Sequence, residues 1–280
     1  MKAIKPLLFL CVVLCFATSC KKDVDMTLVQ KTVLENVDIR EIEIGDAWQV
    51  TVVYDSINTF VDLEYSAYLE PYLIAKMDDT KLEIGFSGIV RPAINSTFRA
   101  TVHTDKIEKI EANAASELQF LGHFTATSDD LTIRLEEASV CTGLDYSGHD
   151  CKVVIEDASQ LLGFRLTSTN SEMSVSDASI CKGVFDVSSH FDVDLSGASR
   201  LITLDGAASF GSIKLQDASL LNMARTEVGT MHVDLSSASE ATVNVSDSME
   251  GLLTDASTLF YKGHPQLNVD CSDDSQVIPL

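Results

Sequence analysis

The sequence is poor in proline and in basic residues. Its 280 residues include 5 prolines, 20 Lys and Arg, and 42 Asp and Glu, so the formal net charge is −22. Such an excess of acid repels phosphate, which disfavours nucleic acid and anionic lipid as partners. The hydrophobic content of 45% is nevertheless that of a chain that folds around a core.

Beyond residue 16 the sequence lacks any apolar run long enough to cross a bilayer. The first nineteen residues have the pattern of a signal peptide, with Lys2 and Lys5 ahead of an apolar segment at residues 6–16. Ala17-Thr18-Ser19-Cys20 then resembles the lipobox of bacterial lipoproteins, which implies cleavage before Cys20 and lipidation of its thiol. An ordinary secretory signal with an incidental cysteine is the alternative. Cleavage would leave 18 basic and 42 acidic residues, a net charge of −24.

A short charged tether at residues 20–29 follows the signal peptide and begins Cys20-Lys21-Lys22-Asp23. It is similar to the export tags of Bacteroidota lipoproteins, which implies attachment to the outer membrane at the cell surface. Attachment facing the periplasm stays open. The lipid itself would hold the protein at the membrane.

The main feature of the sequence is a repeated Ala-Ser dipeptide. Its alanines follow one another at intervals of 23, five times 20, and 18 residues, at positions Ala115, Ala138, Ala158, Ala178, Ala198, Ala218, Ala238 and Ala256. Three and five residues before each alanine, apolar side chains form columns such as Leu135, Ile155, Val175, Leu195, Leu215 and Leu235. A spacing of two is strand periodicity, so these columns predict inward-facing strands.

The repeat therefore predicts an all-β fold, a right-handed parallel β-helix with about twenty residues per coil. Coils stacked about 4.8 Å apart over eight intervals would form a rod roughly 40 Å long. We assign residues 106–280 to this solenoid and residues 30–105 to a β-rich N-terminal capping region. One or two helical turns are expected within residues 66–76.

The serine after each alanine shares the parity of the inward columns, so we expect a partly buried ladder of hydroxyl groups with a structural role, each bonded to a neighbouring coil or to backbone. The residue before each alanine includes Glu137, Asp157 and Asp177. The simplest interpretation makes them turn residues that accept hydrogen bonds from their own backbone. The alternative makes them candidate ligands of a cation such as calcium that bridges adjacent coils. We expect no other metal site and no cofactor.

Four cysteines remain after Cys20: Cys141, Cys151, Cys181 and Cys271. Cys141 and Cys181 share an inward column two coils apart, about 9.6 Å, which is too far for a disulfide. We predict that all four are buried, unpaired thiols. The lone Trp48 is expected in the core.

Taken together, the N-terminal strands, the segment Phe98–Ile110 and corners such as Gly197-Ala198-Ser199 resemble the auto-transporter adhesin head, or GIN domain, family of Bacteroidota. The likeness extends over residues 30–280. It implies a β-helical fold and an adhesin-like role, and it supplies no catalytic residues.

Two function classes remain. The first is a lipid-anchored surface protein without catalytic activity, which binds a glycan or a surface protein along its outward columns. The second is a polysaccharide-cleaving β-helix enzyme that uses carboxylates on adjacent coils, with Glu137, Asp157 and Asp177 as the candidates. The sequence contains neither a Gly-x-Ser-x-Gly elbow nor a His-Glu-x-x-His pair, so we favour binding and predict that the protein is not an enzyme. The sequence does not specify an oligomeric state.

Overall fold

The computed structural model describes residues 24–126 and 130–280. The predicted signal peptide and Cys20 lie outside these residues. The described chain is almost entirely β-structure, with one short 3₁₀ helix at Ala67–Tyr72. No helix within the described residues is long and apolar enough to cross a membrane.

The strands, in chain order, are β1 Leu28–Val33, β2 Glu41–Ile44, β3 Gln49–Tyr54, β4 Phe60–Ser66, β5 Leu73–Asp78, β6 Lys81–Phe86, β7 Phe98–Thr104, β8 Lys109–Ala112, β9 Glu117–Leu121, β10 His123–Thr125, β11 Leu131–Leu135 and β12 Val140–Thr142. They continue with β13 Asp145–Ser147, β14 Asp150–Ile155, β15 Gln160–Ser168, β16 Asn170–Val175, β17 Ile180–Leu195, β18 Arg200–Leu215, β19 Leu220–Leu235, β20 Glu240–Leu253, β21 Thr258–Lys262, β22 Gln266–Cys271 and β23 Gln276–Pro279.

These strands wind into a β-solenoid of about eight coils with a spacing of roughly twenty residues, as the repeat predicts. Each coil contributes to up to three parallel ladders. The first ladder runs through β2, β8, β11, β14 and β16 into the second halves of β17 to β20, and ends at β22. The second runs through β3, β9, β12 and β15 into the first halves of β17 to β20, then β21 and β23. A shorter third ladder begins at β10 and β13.

Stacking order and chain order differ at the N-terminal end of the rod. Strands β6 and β7, which come later in the chain, pair with the outer sides of β2 and β3. The coil at residues 41–54 therefore lies between the coils at 81–104 and 109–121. Antiparallel strands finish this end, β5 against β6 on one ladder and β4 and β1 beyond β7 on the other.

Residues 66–76 are only partly helical. The predicted helical turns are present at Ala67–Tyr72, but Leu73–Asp78 is a strand paired with β6. The prediction of one or two helical turns within this segment is thus confirmed. Beyond Tyr72, the apolar side chains of Leu73, Ala75 and Met77 pack onto the core from a strand that caps the first ladder.

The core is the interior of the coils. The column three residues before each corner is buried, at Leu135, Ile155, Val175, Leu195, Leu215, Leu235 and Leu253. Trp48 is also fully buried, beside the rings of Phe86 and Phe98, so its predicted core position is confirmed. The outward neighbours of the column, among them Arg134, Asp194 and Lys214, are exposed.

Candidate functional site

Ten tight turns are stacked along one edge of the rod, between the first and second ladders. In the turn at residues 136–139, Glu137 and Ala138 have φ values of 54° and 63°, and the Ser139 N–H donates to the Glu136 carbonyl over 3.2 Å. Positive φ at both central residues defines a type I′ turn. Two central residues with positive φ recur at residues 45–48, 113–116, 156–159, 176–179, 196–199, 216–219, 236–239, 254–257 and 272–275.

A ladder of peptide hydrogen bonds connects these turns. The Ala138 N–H donates to the Asp157 carbonyl over 2.8 Å, and the Ala158 N–H donates to the Asp177 carbonyl over 2.9 Å. Equivalent bonds join every successive pair of the ten turns, from residue 47 to residue 273. An alanine in the left-handed region costs about 1–2 kcal/mol. The peptide ladder offsets part of that cost, which explains why a small residue suffices where most I′ turns use glycine.

A buried serine closes eight of the ten turns, as the repeat predicts, while Trp48 closes the first turn and the half-buried Ser275 closes the last. Ser139, Ser159 and Ser179 have no exposed surface, and the hydroxyl of each of the last two accepts the backbone N–H of the serine one coil earlier, over 3.1 and 3.2 Å. Ser219 and Ser239 instead donate to the carbonyl at the start of their own turn. Both arrangements satisfy backbone groups at the corner, so these serines are structural.

The acidic residues Glu137, Asp157 and Asp177 occupy the first central position of three successive turns, and all three are exposed. The Glu137 carboxylate accepts the Ala114 N–H over 3.2 Å, and Asp177 accepts the hydroxyl of Ser176 over 3.0 Å. Neither contact is the predicted hydrogen bond from the residue's own backbone: Glu137 reaches the neighbouring coil, Asp177 accepts a side-chain hydroxyl, and the turn is closed by a backbone bond. The cation-bridging role stays a prediction.

Within the described residues, a tighter group of metal-type ligands lies elsewhere, at Asp130, His149 and Asp150. One ligand atom from each comes within 4.8 Å of the others, and Asp150 also pairs with His149 over 3.0 Å. Asn170 on the next coil donates to Asp150 over 2.7 Å. Sequence reasoning did not find this group because Asp130 is apart from His149 and Asp150 in sequence and meets them only through coil stacking.

The third ladder carries a second arrangement that sequence reasoning missed. His123 Nδ1 lies 2.8 Å from Asp145 Oδ1, and its Nε2 lies 3.4 Å from Ser147 Oγ. The three residues have the order of a nucleophile, a base and an orienting acid. However, they sit exposed on a sheet face, and the N–H of Gly148 donates to the Thr167 carbonyl, so that donor is not available to an oxyanion at Ser147.

The cysteines are unpaired, as predicted, but one is misplaced. Cys141, Cys151 and Cys181 are buried, and burial raises the pKa of the Cys141 thiol to about 12. Burial, and to a lesser degree the charge of Cys141, also raises the pKa of Cys181. Cys271 is exposed, so its predicted burial was wrong: it lies in β22, and no further coil covers the column there within the described residues.

The outer face of the second ladder, which we call the checkerboard face, is the broadest candidate for binding. Two columns of outward side chains run along it, and in each column aliphatic residues alternate with polar ones. The two columns are out of phase, so apolar and polar positions form a checkerboard. The first column is Val140, Gln160, Ile180, Arg200, Leu220 and Glu240, and the second is Thr142, Leu162, Lys182, Ile202 and Asn222.

The cations of the checkerboard face are available to a ligand. Lys182 and Arg200 are exposed, while Ile180, Ile202 and Leu220 beside them are half-buried. Neither cation forms an ion pair with a described residue of the chain, although the protein has a large excess of acid. Aliphatic stems and methyl groups thus line a flat surface from which two cationic groups protrude.

Comparison with known proteins identifies the family. The family model described as "Putative auto-transporter adhesin, head GIN domain" matches residues 38–265. The chain belongs to the GIN-domain family. No curated protein matches its sequence.

Solved structures share the fold of this GIN-domain protein. A "putative adhesin" from Parabacteroides merdae superposes with a TM-score of 0.68 at 10% identity, covering 92% of this chain and 98% of that one. A "putative adhesin" from Parabacteroides distasonis gives 0.62 at 14% identity, covering 91% and 98%. A "putative lipid binding protein" from the same species gives 0.65 at 10% identity, covering 92% and 98%. At these identities the likeness shows the fold alone. The family's description names an adhesin and no enzymatic activity.

Proposed function

We propose that this GIN-domain protein is a lipid-anchored surface protein of the outer membrane that binds an extended glycan along its checkerboard face. The observation that carries the binding role is the alternation of aliphatic and polar residues over five successive coils, with Lys182 and Arg200 unpaired among them. Sugar rings present apolar faces and polar edges, so a surface with both kinds of position fits them. The adhesin description of the family supports the same class of function.

Two cations favour a glycan that carries carboxylate or sulfate groups. Rungs about 4.8 Å apart repeat the same pair of outward positions along the rod, so a linear ligand could contact several coils at once. Each contact adds little by itself, but contacts on one continuous ligand act together. A surface protein is the other class of partner. An array of glycans without binding would favour that class.

The binding role is tested with the lipidated protein on an array of acidic and neutral glycans. We expect binding to acidic glycans, and Arg200→Gln should weaken it about tenfold because a charge-assisted hydrogen bond is lost. Lys214→Gln is the matched control, since Lys214 is an exposed cation on the first ladder. Equal losses in both variants, or an array without binding, would contradict the proposal. Release of sugars from a polysaccharide would favour the enzyme alternative instead.

The anchor is proposed from Ala17-Thr18-Ser19-Cys20. We expect the mature protein to begin at Cys20, to carry acyl chains, and to fractionate with the outer membrane. Cys20→Ser should release the protein from the membrane, because nothing else would hold it there with the strength of several acyl chains. Protease added to intact cells distinguishes the cell surface from a periplasm-facing site. A membrane-bound Cys20→Ser variant would refute the anchor.

A further inference from the structure

The loop at residues 87–97 exposes two isoleucines at the N-terminal end of the rod. It joins β6 to β7 at the edge where the other coils have a four-residue turn. Ile89 is 97% exposed and Ile94 is 90% exposed. Full exposure of two large aliphatic side chains in one loop is costly in water, so it indicates a contact with an apolar phase.

Hydrogen bonds hold this loop in place. The Ser87 N–H donates to the Tyr72 carbonyl over 2.7 Å, and the Ala93 N–H donates to the Tyr68 hydroxyl over 2.7 Å. At its other end the Ser66 N–H donates to the Thr97 carbonyl over 2.9 Å. The isoleucines therefore project from a loop whose backbone is held by hydrogen bonds. Val90 of the same loop packs on the core, whereas the two isoleucines do not.

Tyr68, which binds this loop, also binds the start of the described chain. The Tyr68 N–H donates to the Asp25 carbonyl over 3.1 Å, so Tyr68 contacts both the loop and the tether predicted at residues 20–29. Val24 lies four positions after Cys20, a span of at most about 14 Å. A lipid on Cys20 would thus keep this end of the rod within reach of the bilayer surface.

The charge of the loop suits a membrane surface. The sequence from Ser87 to Thr97 contains Arg91 and no acidic residue, and Lys21 and Lys22 directly follow Cys20. The whole chain has 42 acidic residues against 20 basic ones. The loop itself thus adds a cation and no carboxylate towards lipid phosphates, while Asp25 and Glu70 lie on the segments beside it.

We infer that the loop at residues 87–97 inserts Ile89 and Ile94 into the interface of the membrane that holds Cys20. This inference rests on the proposed lipid anchor. An acylated cysteine alone leaves the rod free to tilt and rotate about its tether. A second contact at the loop fixes the rod with its N-terminal end on the lipid and its later coils directed away from it.

The test measures thiol accessibility in the lipidated protein. Ile89→Cys is prepared, with Leu252→Cys as the matched control, since Leu252 is a half-exposed aliphatic residue in β20. The native exposed Cys271 is an internal reference, while the three other native thiols are buried. Each protein is added to preformed phosphatidylcholine vesicles and treated with a membrane-impermeant maleimide. The same variants carrying Cys20→Ser provide the unanchored reference.

At position 89, we expect vesicle-bound protein to react about tenfold more slowly than its unanchored reference, because burial of Ile94, the isoleucine that this variant keeps, shifts the insertion equilibrium by at least that factor. The thiols of Leu252→Cys and Cys271 should react equally in both forms. Ile94→Cys should behave as Ile89→Cys does. Vesicle-bound protein with an unchanged rate at position 89 would overturn the loop contact and leave the anchor intact. Failure of the protein to sediment with vesicles would overturn both.

Discussion

Gly206 is one of several positions where a single added methyl group would clash with the backbone of the preceding coil. It lies in β18 with φ 137°, and it pairs with Phe185 of the preceding coil. A Cβ added there would lie 2.0 Å from the Phe185 carbonyl oxygen and 2.6 Å from its carbonyl carbon. Gly88 is the matched control: its φ is 82°, but a Cβ there meets no atom within 4 Å.

Gly206→Ala should cost about 3–5 kcal/mol of the free energy of unfolding. The backbone conformation contributes about 1–3 kcal/mol, because residues with a Cβ are strained at this φ. The methyl group must also move at least about 1 Å from the carbonyl, which breaks neighbouring ladder bonds worth about 1 kcal/mol each. Gly88→Ala carries the conformational cost alone, about 1 kcal/mol.

The measurement is urea unfolding followed by the far-ultraviolet signal of the β-structure. Gly88→Ala measures backbone strain without a clash, so a loss in Gly206→Ala beyond the strain of about 1–3 kcal/mol reports the contact between coils. Equal losses of stability in Gly206→Ala and Gly88→Ala would refute the reasoning, as would a Gly206→Ala protein as stable as the parent. Either result would mean that adjacent coils separate at little cost.

Three further outcomes are expected. In urea unfolding, Val233→Ala should lower the free energy of unfolding by about 2–3 kcal/mol and Val269→Ala by less than about 1 kcal/mol. The two valines occupy the same column, but Val233 is buried between coils and Val269 is partly exposed in the last coil. Equal losses would contradict the stacking. Stability should fall above pH 9 towards 12, by up to about 1.4 kcal/mol per pH unit from the Cys141 thiol, which stays protonated when folded and ionises when unfolded; a Cys141→Ala variant with the same alkaline slope would contradict this. Ser179→Ala should speed hydrogen exchange at the Ser159 amide, which loses one of its two acceptors and keeps the Glu156 carbonyl; unchanged protection would refute the serine ladder.

The regular part of the fold could be predicted from the sequence because its signals are local and repeated. The inward columns and the serine positions follow from a spacing of two within each segment and of twenty between segments. The second corner, between the second and third ladders, was not predicted. Its signal is a column of glycines at Gly122, Gly143, Gly163 and Gly183, of which the first three have positive φ.

The N-terminal coils and the side-chain groups on the third ladder were harder to predict. Strands β2 and β6 alternate in the same way and do not recur at a fixed interval, so their spatial order depends on long-range packing. Likewise His123 meets Asp145 across an interval of 22 residues. A cluster of side chains that forms only through the register of two coils cannot be recognised in the sequence of either segment alone.

The stacked turns also give the rod a direction. In every corner peptide that bonds to a neighbour on both sides, the carbonyl oxygen points towards the N-terminal end and the N–H towards the C-terminal end. The aligned dipoles sum to a partial positive charge at the C-terminal end, where the carboxylates of Asp273 and Asp274 lie on the last turn. A second rod that extended this column would have to stack head to tail. The antiparallel strands β1 and β5 cover the N-terminal end of the rod. Head-to-tail stacking of further molecules is therefore blocked at that end.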